Sequence, residues 1–544
     1  MGRRTLKTGG TLLALFSTLL VIGQSTPRMV VGITVDQMRA EYLSRFNNHF
    51  EGGFRRLLDE GAVFRNCHYS HTPTYTAPGH ATIYTGAQPR DHGIIGNDWY
   101  DPRTQTSVYC VEDSTVFTAG AERDDAGQRS PRNLLTTTWT DQLHLATMGR
   151  SFIGAVSIKD RGAILPGGHR GDEVYWFNSR SGQFITSTYY TEDTPEWVNE
   201  FNTMHGDLAS YARVWTRLKA DETYINCMLD DNDYETTFGR EASTLPLDIP
   251  VLIEEHGPGM IANSPDGNRL VTDFALSMLE NISEEQMNDN ATDVLAISYS
   301  SPDYIGHAFG PRSVEVMDTY LRLDLELGRL FAALDEKLGK GNYIVFLTAD
   351  HGVAENPNFM HDELRMSASN HSGSDLLAEM ISKAETALGF NPIERFDNDA
   401  IHFDEVACRE AGYSNADVAE VMSTILIDMN GIKAVWTPEE IMYSDVYQAQ
   451  MRRQLLEVRA ADLYIEWFEG HYLYGRVGAS HGSGYTYDTH VPMILMGGDV
   501  PSGEIYRKTA VIDLAPTLSF ILGISLPNAA YGQPMEEVLP SIED

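Results

Sequence analysis

Short apolar runs alternate along the chain with longer stretches whose apolar residues recur at helical spacing. The runs read as strands buried on both faces. Met29–Val35 leads into Asp36, and Phe152–Ile158 leads into Lys159-Asp160-Arg161. Val294–Tyr299 precedes Ser301-Pro302-Asp303, and Tyr343–Ala349 runs into Asp350-His351-Gly352. Val491–Met496 follows His481-Gly482-Ser483-Gly484. Helices are expected at about 52–61, 138–147, 270–280, 314–337, 416–428, 449–459 and 509–522. Strands alternating with helices predict an α/β fold: a doubly wound, mostly parallel sheet with helices on both faces. Ligands of such sheets bind beyond the carboxyl ends of the strands. Asp36, Lys159, Asp303 and Asp350 all stand there, so distant residues should converge on one edge.

Two stretches break the rhythm and read as inserted cap segments, at about 168–268 and 354–480. The first opens with a hairpin pattern, Glu173–Phe177 and Phe184–Thr188 about Ser181-Gly182, and then becomes irregular. Its Asp230-Asp231-Asn232-Asp233 lacks the glycine and spaced glutamate of a calcium loop, so a solvated acidic loop is expected. The remainder, 26–544, is expected to be a single catalytic domain.

Composition narrows the setting. Hydrophobic residues make up 42% and charged residues 22%, an ordinary globular balance. A basic start (Arg3, Arg4, Lys7), an apolar run from Thr11 to Ile22 and the small residues Gly23-Gln24-Ser25 form the pattern of an export signal over residues 1–25. A periplasmic or secreted protein without stable membrane insertion is expected. The formal net charge of −37 argues against nucleic acid or an anionic membrane as partner. Cys67, Cys110, Cys227 and Cys408 would allow two disulfides in an exported chain, in any of three pairings.

The chemistry centres on Thr72–Gly86. Pro78 suits the first turn of a helix, which puts the hydroxyls of Thr74 and Thr76 just before its N-terminus. Backbone N–H groups and the helix dipole favour an anion there, so either hydroxyl is a candidate nucleophile. His92–Tyr100 is a Gly-rich loop able to bring backbone and a side-chain amide close to a ligand. Asp303 and His307, four apart, share a helical face. With Asp36, Asp350, His351 and His481 they provide carboxylate and imidazole ligands for two divalent ions, and the imidazole content favours zinc. Such a pair suits phosphoryl transfer, which also needs cations on the transferring oxygens. Lys159 and Arg161, two apart on a segment read as extended, would point the same way.

These residues resemble the secreted bacterial alkaline phosphatases of the threonine-nucleophile (PafA-like) type, within the alkaline phosphatase superfamily. The likeness rests on Val35–Arg39, Thr76–His80, Gly96–Tyr100, Lys159–Arg161, Asp303–His307, Ala349–Gly352, Ser480–Gly482 and the closing Ile512–Thr517 with Gly532-Gln533-Pro534. It implies hydrolysis of small phosphate monoesters by a monomer with two Zn2+ ions. It assigns Thr76 as the phosphorylated nucleophile and Asn97, Lys159 and Arg161 to the phosphoryl oxygens. It implies Asp303, His307 and His481 on one zinc, and Asp36, Thr76, Asp350 and His351 on the other. A phosphodiesterase of the same superfamily is the rival reading. A non-catalytic binding protein would need a lost ligand or nucleophile, and none is missing.

Overall fold

The computed structural model describes residues 26–120, 124–452 and 458–539. The expected export signal at 1–25 lies outside them, as does part of the helix expected at 449–459.

A ten-stranded sheet forms the centre. Its order is 503–505, 62–68, 490–497, 343–348, 29–35, 293–299, 153–157, 173–178 and 183–185, with 509–510 also pairing with 62–68. The strands from 343–348 through 173–178 run parallel. Every residue of Met29–Val35 is buried, as a strand covered on both faces requires. Parallel pairing sets the carboxyl ends of 29–35, 153–157, 293–299 and 343–348 along one edge. The 490–497 strand runs antiparallel to 343–348, with Met493 opposite Thr348, so its entry loop, carrying His481, starts from that same edge.

Helices cover both faces. On one, Gly53–Glu60 packs against Val314–Leu338. Asp324 of the long helix accepts the backbone N–H groups of Glu51, Gly52 and Phe54 at 2.7, 2.6 and 2.7 Å, capping the shorter one. On the other, Thr76–Thr85 packs against Asp160–Gly167.

Several expectations shift. The hairpin at 173–185 belongs to the main sheet as its edge. The helix expected from Thr509 begins at Leu514, after a short strand and a 3-10 turn. All four cysteines are free thiols, so the expected disulfides do not form. Cys67, Cys110 and Cys408 are buried, and burial pushes each thiol upward. Within 354–480, strands 393–397, 400–403, 463–467 and 432–436 form their own sheet. It encloses a separate core of Leu376, Met380, Met422, Leu426, Ile401 and Leu463.

Candidate active site

Thr76 is the first residue of its helix rather than the one before it, and Pro78 stands in the first turn. The two candidate hydroxyls separate here. Thr74 Oγ1 donates to the Ser483 carbonyl at 2.9 Å. Thr76 Oγ1 instead lies 3.4 Å from the amine of Lys159, which donates to it. The helix sits unusually close to the sheet edge, because a Cβ at Gly79 would lie 2.3 Å from the Asp350 carbonyl oxygen. Asn97 accepts the Ala77 N–H at 2.9 Å, which anchors its amide beside Thr76.

Around this hydroxyl the strand ends gather two groups of ligating atoms. One combines Asp36, Asp350 and His351, and the other Asp303, His351 and His481. His351 thus belongs to both, whereas His307 reaches the second through Asp303 Oδ1, 3.2 Å from its Nε2. His307 Nδ1 faces the Ala479 carbonyl at 2.7 Å, His351 Nδ1 that of Gly352 at 2.9 Å, and His481 Nδ1 that of Thr74 at 2.8 Å. A carbonyl can only accept, so each Nδ1 carries the proton; burial disfavours the charged form of His351 and His481, whose Nε2 atoms therefore present lone pairs inward, while the His307 Nε2 faces Asp303 Oδ1. Asp36 Oδ1, Asp350 Oδ2 and His351 Nε2 are buried with no hydrogen-bond partner. That is the environment a divalent ion relieves.

The electrostatics follow from burial. Asp36 is pushed up by desolvation and by Asp350, with Lys159 pulling the other way. Asp303 is desolvated too, yet His307 and Lys159 outweigh this and hold it low. Burial, with His351 and His307 adding, holds His481 far below the usual imidazole range. Lys159 bridges Asp36 and Asp303 at 2.7 and 2.6 Å. It is held charged by these partners against its own desolvation.

The extended geometry expected for Lys159 and Arg161 is not found. Lys159 caps the helix that Arg161 enters, since the chain must turn at the strand end to cross over. Arg161 donates to Tyr109 Oη at 3.2 Å, and its Nε is buried without a partner. Both residues, with Tyr304, still line one cleft of about 360 Å³.

Some supporting residues escaped the sequence reading. Gln37 donates to Asp303 Oδ1 at 2.6 Å and takes a positive φ of 63° to do so. Gly306 leaves room for it, because a Cβ there would overlap the Gln37 amide. His80 lies 3.3 Å from Asp350 Oδ2. Their adjacency to Asp36 and Thr76 was the one available signal. Behind His481, Tyr75 and Ser483 meet Asp399, Arg452 and Trp467 around a cavity of about 120 Å³, so the 354–480 segment backs the site.

The type I phosphodiesterase / nucleotide pyrophosphatase family model matches residues 30–490, and the chain belongs to that family. The fold is alkaline phosphatase-like. Within it the chain is 38% identical to "Alkaline phosphatase PafA" of Elizabethkingia meningoseptica over 521 residues, 94% of each chain. It is also 38% identical to "Alkaline phosphatase PhoV" of Synechococcus elongatus over 532 residues, 94% of this chain and 93% of that one. The crystal structure of wild-type PafA superposes with a TM-score of 0.90 at 38% identity, covering 94% of this chain and 99% of that one. The chain is thus a PafA-like phosphomonoester hydrolase of the alkaline phosphatase superfamily. Among the described residues no helix is long and apolar enough to cross a membrane.

Proposed function

We propose that this phosphatase hydrolyses small phosphate monoesters in two in-line steps through a phosphothreonine at Thr76, and that it works outside the cytoplasm. The observation that carries the reading is the Thr76 hydroxyl at a helix N-terminus, 3.4 Å from the Lys159 amine and flanked by buried carboxylates and neutral imidazoles.

Two zinc ions fit the donor set. Asp303, His307 and His481 would hold one, and Asp36, Asp350, His351 and Thr76 the other. Bound there, the ions lower the pKa of the attacking hydroxyl and neutralise charge on the leaving oxygen. Lys159, Arg161 and the Asn97 amide bind the non-bridging phosphoryl oxygens and hold phosphorus in line with Thr76 Oγ1. The Oγ–P bond forms as the ester P–O bond breaks; Thr76 gives up its hydroxyl proton in the attack, and the departing oxygen takes one up to leave as the alcohol. Water then attacks phosphorus from the vacated side, breaking the Oγ–P bond and releasing phosphate. A second PafA structure, 37% identical and with a TM-score of 0.89, carries substitutions at a threonine, an asparagine, a lysine and an arginine. These are spaced along that chain as Thr76, Asn97, Lys159 and Arg161 are here, which supports the assignment.

Acid quenching during turnover, followed by peptide mapping, tests the intermediate. Phosphate is expected on Thr76. Label on Thr74, or a Thr76→Ala enzyme keeping more than roughly a tenth of wild-type kcat/KM, would overturn the reading, since losing a nucleophile removes far more.

A further inference from the structure

One hairpin touches two of the groups assigned to the phosphoryl oxygens. Its strands, Asp98–Asp101 and Thr106–Tyr109, pair antiparallel with Asp98 opposite Tyr109. Asn97 precedes the first strand, and its carbonyl accepts the Cys110 N–H at 2.9 Å. Asn97 and Tyr109 therefore stand at the same end of the hairpin. Asn97 is tied to the helix of Thr76 through the Ala77 N–H. Tyr109 reaches instead to the helix Asp160–Gly167.

The Tyr109 hydroxyl lies between two residues of that helix. It donates to Asp160 Oδ1 at 2.5 Å and accepts from Arg161 Nη1 at 3.2 Å. Its single proton is committed to Asp160, so its lone pairs are left for Arg161. Asp160 is itself fixed. Its Oδ1 also accepts the Arg161 backbone N–H at 2.7 Å, and its Oδ2 accepts Arg129 Nε at 2.8 Å. The Arg129 guanidinium lies over the Tyr109 ring, 5.1 Å from the centroid, and Asn133 Nδ2 donates to the Tyr109 carbonyl at 3.2 Å. Ring, hydroxyl and backbone of the tyrosine are all held. Desolvation, with Asp160 adding, pushes its phenol upward, so it stays protonated.

Arg161 is held far less. Among the described residues its guanidinium makes no hydrogen bond except the one to Tyr109. Its Nη1 is 4.0 Å from Asp160 Oδ1, too far for a hydrogen bond. Without the hydroxyl the guanidinium would be free to close onto the Asp160 carboxylate and leave the phosphoryl oxygens. Tyr109 does not line the cleft that Lys159 and Arg161 share, so it has no direct part in holding substrate.

On the reading above that Arg161 binds the phosphoryl oxygens, we propose that Tyr109 is a positioning residue. Its hydroxyl, oriented by Asp160, sets the place of the Arg161 guanidinium, and the hairpin keeps that place in register with Asn97.

A double-mutant cycle on the zinc-loaded enzyme, run with p-nitrophenyl phosphate and its bis-ester, tests this. Tyr109→Phe removes only the hydroxyl. It should lower kcat/KM for the monoester about tenfold and for the diester by less than about twofold. In an Arg161→Ala background the same substitution should change monoester kcat/KM by less than about twofold, because no guanidinium is left to place. Wild-type monoester kcat/KM in Tyr109→Phe, beside a large loss in Arg161→Ala, would overturn the role of Tyr109 and leave that of Arg161 intact. A loss that persists in the Arg161→Ala background, or equal losses on both esters, would also overturn it, by showing that the hydroxyl supports the fold or meets the substrate itself. An Arg161→Ala enzyme with wild-type monoester kcat/KM would overturn the placement of Arg161 on substrate, and the role of Tyr109 with it.

Discussion

The imidazole of His351 stacks on that of His481, ring centroids 3.6 Å apart and planes 12° from parallel. Two charged rings would repel at this distance, and burial already disfavours the charged form of each. With both Nδ1 atoms turned to backbone carbonyls, the pair presents two neutral Nε2 ligands to the catalytic cleft.

A pH dependence follows. Groups whose folded pKa is depressed bind fewer protons folded than unfolded, so stability is lost as pH falls below the unfolded value. His351 and His481 are shifted this way, and His71, buried against Gln88, is held to about 4. Stability of the metal-free protein should therefore fall as pH drops from about 6.5 towards 4. Urea unfolding at stepped pH measures this. Flat stability across that window would contradict neutral buried imidazoles.

Lys159 and Arg161 should set the preference for monoesters. A monoester dianion carries one more charged oxygen than a diester, so removing a cation penalises it more. Lys159→Ala and Arg161→Ala should each lower kcat/KM for p-nitrophenyl phosphate by on the order of 100-fold, and for the bis-ester by much less. A wild-type preference for the diester, or equal losses on both substrates, would favour the phosphodiesterase reading.

Gly79 sets how near the nucleophile helix comes to Asp350. Its φ is ordinary, so the constraint is space, and alanine would push the Cβ into the Asp350 backbone and side chain. Gly79→Ala should reduce activity at least tenfold by displacing Thr76, since small misplacements of reacting groups have effects on the order of 100-fold. Wild-type kcat and KM in this variant would show that the approach does not position Thr76.

Asp324 offers a test of the fold away from the chemistry. Its buried carboxylate receives backbone N–H groups at the head of Gly53–Glu60. Asp324→Ala leaves them without an acceptor and should destabilise the protein by about 3 kcal/mol in urea unfolding. A change below about 0.5 kcal/mol would mean that water replaces the cap.

What could be read along the chain was whatever local chemistry enforces. Apolar runs ending in Asp36, Asp303 and Asp350 define buried parallel strands, because only a sheet covered on both faces tolerates them. Parallel strands then force those ends to one edge. The i, i+4 spacing of Asp303 and His307 likewise holds on the Ser301–Phe309 helix. Periodicity could not show that 173–185 joins the main sheet, because a strand pattern does not name its partner.

Tertiary structure decided what depends on direction rather than position. It separated Thr74 from Thr76, because the two hydroxyls face different partners although they lie two residues apart. It turned Lys159 and Arg161 onto different groups by starting a helix between them. It left all four cysteines as free thiols, with Cys408 in the separate core of the 354–480 segment and Cys67 and Cys110 in the main one. Local spacing dictates which face a side chain takes, whereas what it meets across that face is set by packing between elements remote in the chain.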